Sequence, residues 1–466
     1  MSHYPNPFDF VPFPSAPIIR TEGEFDALGE KFSGYLELEI RALMPVHVVG
    51  QAEDSTERKS FFFRQSGLPC IPASSIRGCL RAFTEALTAG WVSRANPEYP
   101  KRYRGRHVGF KTFEDYLPDS GSRRRISLPA VDKSFKPAAS SNRLDVASYL
   151  FGTVVEGEQT EDGEKSRKSK IWVEDAYLPL EAITFDKDFW APDIEGEAFM
   201  GGAKPSVSNW WYFEPAEIWK RNLRGTAPVA EFIGEYLRGR KFYYHQDPMK
   251  CVQNYDQKKG RWDYHKNRFH RVRLECISPD NRTLPFRIYL DGVPQPLLLL
   301  LMSILLPGEH IRHKLGYAKA YGYGSIEFNL KSAKMRTVGL GIPNAIELRE
   351  EPLGNLDMES LTKNGLADFI DKNALIWLAR ILGWPHEDLL FMYPQYRNHE
   401  FKQPINCKQF EQMANIKKPA SYPMKIISTE QASNIAKALW GLKRPIDFRL
   451  YQERANGWNT IMQRKP

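Results

Sequence analysis

Residues 296–328 read PLLLLLMSILLPGEHIRHKLGYAKAYGYGSIEF, and three successive textures in that stretch decide the fold. Leu297 to Leu306 is almost unbroken apolar sequence. It is about half of the ~20 residues a membrane span needs, so it reads as a buried helix over about 296–306. Lys314 to Gly324 follows, a loop dense in glycine and tyrosine. Ser325-Ile326-Glu327-Phe328 then begins a strand. A buried helix returning through a loop into a strand is the closing half of a helix-on-sheet unit.

The opening half lies upstream. Residues 34–43 (GYLELEIRAL) alternate apolar and polar, the period of a half-buried strand. Ile76, Leu80, Phe83 and Leu87 form one helical stripe, with Ser74 or Ser75 placed to cap it. Strands are expected at 171–173, 271–277 and 286–290. Strand, helix, strands, helix, strand is the order of an α+β, ferredoxin-like (RRM-like) βαββαβ core carrying large insertions. Residues 1–31, rich in Pro and Phe, read as an extended lead-in docked by its rings. The core is assigned to 32–335, with basic and charged loops over about 95–170 and an aromatic, basic insertion over about 195–268. Residues 336–466 read as a mostly helical C-terminal subdomain, in which Ser428 and Gln431 match a capping box.

A chain of 466 residues that is 42% hydrophobic supports a large core. Its net charge of +9 suits a polyanionic partner. The five cysteines, Cys70, Cys79, Cys251, Cys276 and Cys407, include no C-x-x-C pair, which disfavours a zinc site and fits free thiols in a reducing compartment. With no signal pattern and no membrane span, the expected location is the cytoplasm, with no membrane partner.

Three places carry candidate binding chemistry. At Ser74-Ser75 a helix N-terminus offers free N–H groups to a phosphate. Arg77 in that first turn opposes the helix dipole, a conflict an anion would relieve; the plainer reading is a strand-to-helix turn with a solvated arginine. The glycine loop has Lys314 and Lys319, glycines at 316, 322 and 324, and tyrosines at 317, 321 and 323, a mixture suited to a sugar-phosphate backbone and stacked bases. It lacks a P-loop ending and precedes a strand, unlike a dinucleotide fold; the plainer reading is a flexible turn. Arg and aromatic residues over 101–125 make a further basic patch or a solvated surface. Among acids, Glu53, Asp54 and Glu57 gather in a loop after the first strand, where a carboxylate could serve metal-dependent cleavage or simply be solvated. His310 and His313 flank Arg312 and precede Lys314, charges that oppose a metal there.

Several ordered motifs together resemble the RAMP superfamily of CRISPR-associated proteins, in its branch of backbone-type subunits from type III effectors. Residues 71–78 (IPASSIRG) resemble the family's IPGSSLRG turn, with Ala73 in place of glycine. Residues 150–152 (LFG) and the following 173–176 (VEDA) match in order. Ala203-Lys204-Pro205-Ser206 is similar to a PKP[ST] element, residues 237–245 (LRGRKFYYH) to RGRKFYWHH, and residues 313–325 to the closing HKLGxGKxxGxGS loop. The resemblance spans about residues 7–330. It implies a palm-like core and a thumb near Lys204 that interrupts a guide–target duplex. It implies RNA contacts at Ser74, Ser75, Arg77, Lys204, Arg238, Arg240, Lys241, His245, Lys314, Gly316, Lys319, Gly322 and Gly324. The implied partners are crRNA, target RNA and other effector subunits. Target cleavage would use Asp54, with Glu57 second, and a divalent metal (Mg2+ or Mn2+). The rival expectations are a CRISPR RNA-processing endoribonuclease using a histidine as acid–base, and a non-catalytic scaffold whose basic surface binds an acidic protein.

Overall fold

The computed structural model describes residues 4–5, 7–54, 59–92, 101–103, 106–108, 133–135, 137, 143–154, 166–184, 190–192, 239–248, 271–279, 282–308, 310–338, 346–350, 366–384 and 421–422. Its centre is a mixed α+β unit of four strands and two helices. In chain order these are β1 (Lys31–Ala42), α1 (Ala73–Leu87), β2 (Ile171–Val173), β3 (Thr283–Pro294), α2 (Gln295–Leu305) and β4 (Ser325–Val338). The strands lie in the order β2-β3-β1-β4, every pair antiparallel. Each helix follows a strand of the inner pair and returns to an outer one.

The period-2 pattern of β1 puts Leu36, Leu38, Ile40 and Ala42 into the core and leaves Tyr35, Glu37, Glu39 and Arg41 on the opposite face. From β3, Leu284, Phe286, Ile288 and Leu290 join the buried face. The helical stripe Ile76, Leu80, Phe83 and Leu87 covers it, each side chain worth about 1.5–3 kcal/mol of burial. The apolar run becomes α2, packed against α1 and buried almost all round. The opposite face of the sheet is laced by ion pairs, Arg287–Glu37 at 2.9 Å and Lys331–Glu39 at 3.1 Å among them.

Several expectations shift. The cap of α1 is Pro72, with no side-chain cap bond, so Ser74 and Ser75 sit inside the first turn. Proline ahead of the helix already holds the extended backbone an N-cap needs. The strand expected at 271–277 breaks into Arg271–Leu274 and Cys276–Ile277, and neither joins the central sheet. The first lies in a second sheet with Trp190–Pro192, Lys59–Phe62 and Val49–Asp54. β4 runs past residue 335 and pairs with Ile346–Glu350, so the sheet extends across the boundary expected there.

Two segments outside the central four strands pack onto this unit. The strand Phe8–Val11 buries Phe8, Phe10 and Val11 and pairs with Arg240–Tyr243. The helix Lys372–Ile381, the one α-helix among the described residues beyond 336, packs on α1, where the Asp371 N–H donates to the Leu87 carbonyl. Ser428 and Gln431 lie outside the described residues. No helix among the described residues is long and apolar enough to cross a membrane.

Candidate nucleic-acid interface

Three segments far apart in sequence converge on one groove of about 450 Å³. The start of α1 contributes Ser74, Ser75 and Gly78; the strand Arg240–Tyr243 contributes Lys241 and Tyr243; the glycine loop contributes Lys314, Gly316, Tyr317 and Lys319. Among the described residues, the lining has three lysines and no carboxylate. Aromatic rings beside cations without acids form a surface suited to a polyanion that also has flat faces.

Local chemistry explains why the loop holds its shape. Gly316 has φ +92°, and a Cβ there would lie 2.4 Å from the His47 carbonyl oxygen. At Gly324, with φ +79°, it would lie 2.0 Å from the Leu315 carbonyl oxygen. The glycines therefore serve close approach to the protein's own backbone rather than to a ligand. Lys314 is buried, and its Nζ donates to the carbonyls of Gly322 (3.1 Å) and Tyr323 (3.0 Å). Lys319 Nζ donates to the Gly316 carbonyl at 2.6 Å. Both charges stay beside the groove while their donors stitch the loop.

The helix start differs from expectation in two ways. The Ala73 N–H donates to Asp175 Oδ1 at 2.6 Å, and the Ser75 and Ile76 N–H groups donate to the Pro72 carbonyl. A carboxylate of this protein thus answers the helix dipole where a phosphate was expected. Arg77 donates to the Phe151 carbonyl, at the C-terminal end of the helix Val146–Phe151, and does not line the groove. Its conflict with the dipole of α1 is settled within the protein. Gly78, by contrast, is exposed, with nothing within 4 Å of where a Cβ would be.

Two further expected contacts turn inward. Arg240 donates to the carbonyls of Gly90 (2.5 Å) and Trp91 (3.2 Å), and burial lowers its pKa. His245 is buried between Ser325 Oγ (2.8 Å) and the Arg312 carbonyl (3.2 Å), edge-on to Trp384. Sequence reading assigns all cationic residues of a motif to the ligand, but alternate positions of a strand face opposite ways. Lys204, Arg238 and Glu57 lie outside the described residues. Asp54 ends the strand Val49–Asp54, in register with Lys59. Among the described residues, no three His, Cys, Asp or Glu side chains gather as a metal-binding group. Cys79 reaches the groove, but burial pushes its thiol up to about 11, which keeps it protonated and unreactive.

The buried support beneath the groove is not legible in the motifs. Glu275 accepts from both Arg64 terminal nitrogens (2.8 and 2.9 Å) and from the Phe62 N–H (2.7 Å). His47 joins the Glu275 carbonyl (2.7 Å) to Ser60 Oγ (2.9 Å), while its own carbonyl accepts from the Tyr317 N–H of the loop (2.8 Å). Burial lowers His47 to about 4, partly offset by the Glu275 carbonyl, and lowers His313 to about 4 as well. Both rings are neutral when folded and gain a proton on unfolding below pH ~6.5. Stability is then full above about pH 6.5 and falls as pH drops toward 4, at up to ~1.4 kcal/mol per pH unit for each ring. Urea midpoints from pH 7.5 to 5, above the carboxylate range, check this; a flat profile refutes it.

The fold and groove define an α+β protein with a cationic, aromatic-edged cleft. The RAMP superfamily family model matches residues 39–327, and the chain belongs to that superfamily. A search of curated proteins finds no match. Among solved structures, the chain is similar to a chain of a "Type IV-B CRISPR Complex", at 14% identity over 69% of this chain and 96% of that one, with a TM-score of 0.23.

Proposed function

We infer that this protein is an RNA-binding subunit of a CRISPR effector complex, holding guide RNA and its duplex with target RNA. The observation that carries the reading is the groove. It gathers the Ser-Ser helix start, the aromatic basic strand and the glycine loop into one lining that, among the described residues, has three lysines and no acid. The strand order β2-β3-β1-β4, with a helix after β1 and after β3, supports a ferredoxin-like βαββαβ core, and the described strands are a palm for it. In this reading the partners are crRNA, target RNA and other effector subunits, and the protein acts in the cytoplasm. Type III backbone subunits are the branch its motifs resemble.

Phosphate contacts release counterions, so binding to single-stranded RNA should weaken steeply with salt. RNA co-purified with the protein expressed beside a CRISPR array tests the reading directly. Repeat-flanked spacer RNA protected at regular intervals supports it. Random cellular RNA, or none, removes it and favours the scaffold for an acidic protein. Metal-free cutting of repeat RNA at one site favours the processing endoribonuclease instead.

Target cleavage is a separate question. Asp54 is the first candidate carboxylate and Glu57 the second, and a bound Mg2+ or Mn2+ would activate water or stabilise the leaving oxygen. Asp54→Ala is expected to abolish metal-dependent cutting of a guide-matched RNA, at least 100-fold in rate, while leaving guide binding within about twofold. Undiminished cutting by the variant would remove Asp54 from the chemistry.

A further inference from the structure

The strand Phe8–Val11 touches one of the cations that line the groove. Lys241 stands on the strand Arg240–Tyr243, paired with Phe8–Val11 so that Tyr243 is opposite Phe8. The Lys241 ammonium lies 3.9 Å from the centre of the Phe8 ring and 4.9 Å from that of Tyr243. Phe8 is only 2% exposed and stands edge-on to Phe10 and Tyr243, at 5.7 and 6.1 Å. A buried ring packed this way cannot follow the lysine, whereas the lysine stem has four rotatable bonds. Lys314 and Lys319 donate to loop carbonyls, and the Lys241 ammonium lies against the ring quadrupole of Phe8.

We propose that Phe8 is a positioning residue for RNA binding, holding the Lys241 ammonium at the groove before a phosphate arrives. This rests on the groove being the RNA site. A lysine already confined loses less rotamer freedom on binding, so the ring acts on affinity without touching the ligand. The lead-in segment is then part of the binding machinery.

A double-mutant cycle on the full-length, RNA-free protein tests this, with a fluorescein-labelled single-stranded RNA of mixed sequence titrated at several salt concentrations. Lys241→Met is expected to weaken binding about 5- to 10-fold and to flatten the log–log salt slope by ~0.7. Phe8→Leu, which keeps an apolar filler, is expected to cost about threefold in the native background and almost nothing beside Lys241→Met. Phe8→Met serves in its place if the leucine variant melts early. If Lys241→Met changes neither affinity nor slope, the groove reading itself falls, and the proposal with it. If Lys241→Met acts but the Phe8 variants cost nothing, or cost the same factor in both backgrounds, the groove stands and the positioning role is overturned.

Discussion

Replacing Asp9 by alanine is expected to cost about 3–5 kcal/mol of folding stability, although Asp9 lies in a segment that reads as a lead-in. Asp9 Oδ2 lies 3.5 Å from Arg380 Nη2, and both side chains are 1% exposed. The Tyr244 hydroxyl donates to the same oxygen at 3.1 Å, and the Phe10 N–H donates to Oδ1 at 2.9 Å. Removing the carboxylate leaves a guanidinium buried without its counter-charge, beside Trp377. Little water can reach it without opening the contact between the N-terminal strand and the helix Lys372–Ile381. The double variant Asp9→Ala/Arg380→Met should recover most of the loss, because a buried pair replaced by apolar groups is close to neutral. Urea denaturation of the three variants measures both effects. A loss under ~1 kcal/mol for Asp9→Ala would mean that the N-terminal strand and the helix Lys372–Ile381 are held together by apolar packing alone.

This pair also shows where sequence reading stops. The elements that announce themselves by period are found where expected: the alternation in β1, the stripe in α1 and the apolar run of α2 each have a burial pattern visible in one short window. Pairings between distant segments leave no such trace. Asp9 with Arg380, Arg64 with Glu275 and Ala73 with Asp175 each join residues that no local pattern connects. The same limit governs the groove. Its three component motifs are recognisable one by one, and the structure brings them together. Which cation of each motif faces the groove is a matter of strand face and burial. Within one motif Lys241 lines it while Arg240 and His245 turn inward. The glycines are legible as loop formers, but the atoms they make room for belong to the protein. Gly78 alone among the motif glycines of the groove has open space before it, and no part of the protein's own packing requires it.

That open space sets the sharpest test of the groove. Glycine within a helix costs about 0.8–1 kcal/mol relative to alanine, so Gly78→Ala should raise stability by up to that amount. A Cβ at this position, on the groove lining, meets no other part of the fold within 4 Å, so a side chain can start there without a clash at its root. Gly78→Glu should therefore fold at least as well as the native chain. It also places a carboxylate in a lining that has none among the described residues, against any phosphate bound there. Like-charge juxtaposition at a binding surface costs several kcal/mol, so single-stranded RNA affinity at low salt is expected to fall about 100-fold. Gly78→Lys separates charge from bulk. If electrostatics dominates, it should bind within a fewfold of the native protein; if space dominates, it should fail as the glutamate does. Both variants binding RNA as the native chain does, while melting at or above its temperature, would place the RNA elsewhere on the protein.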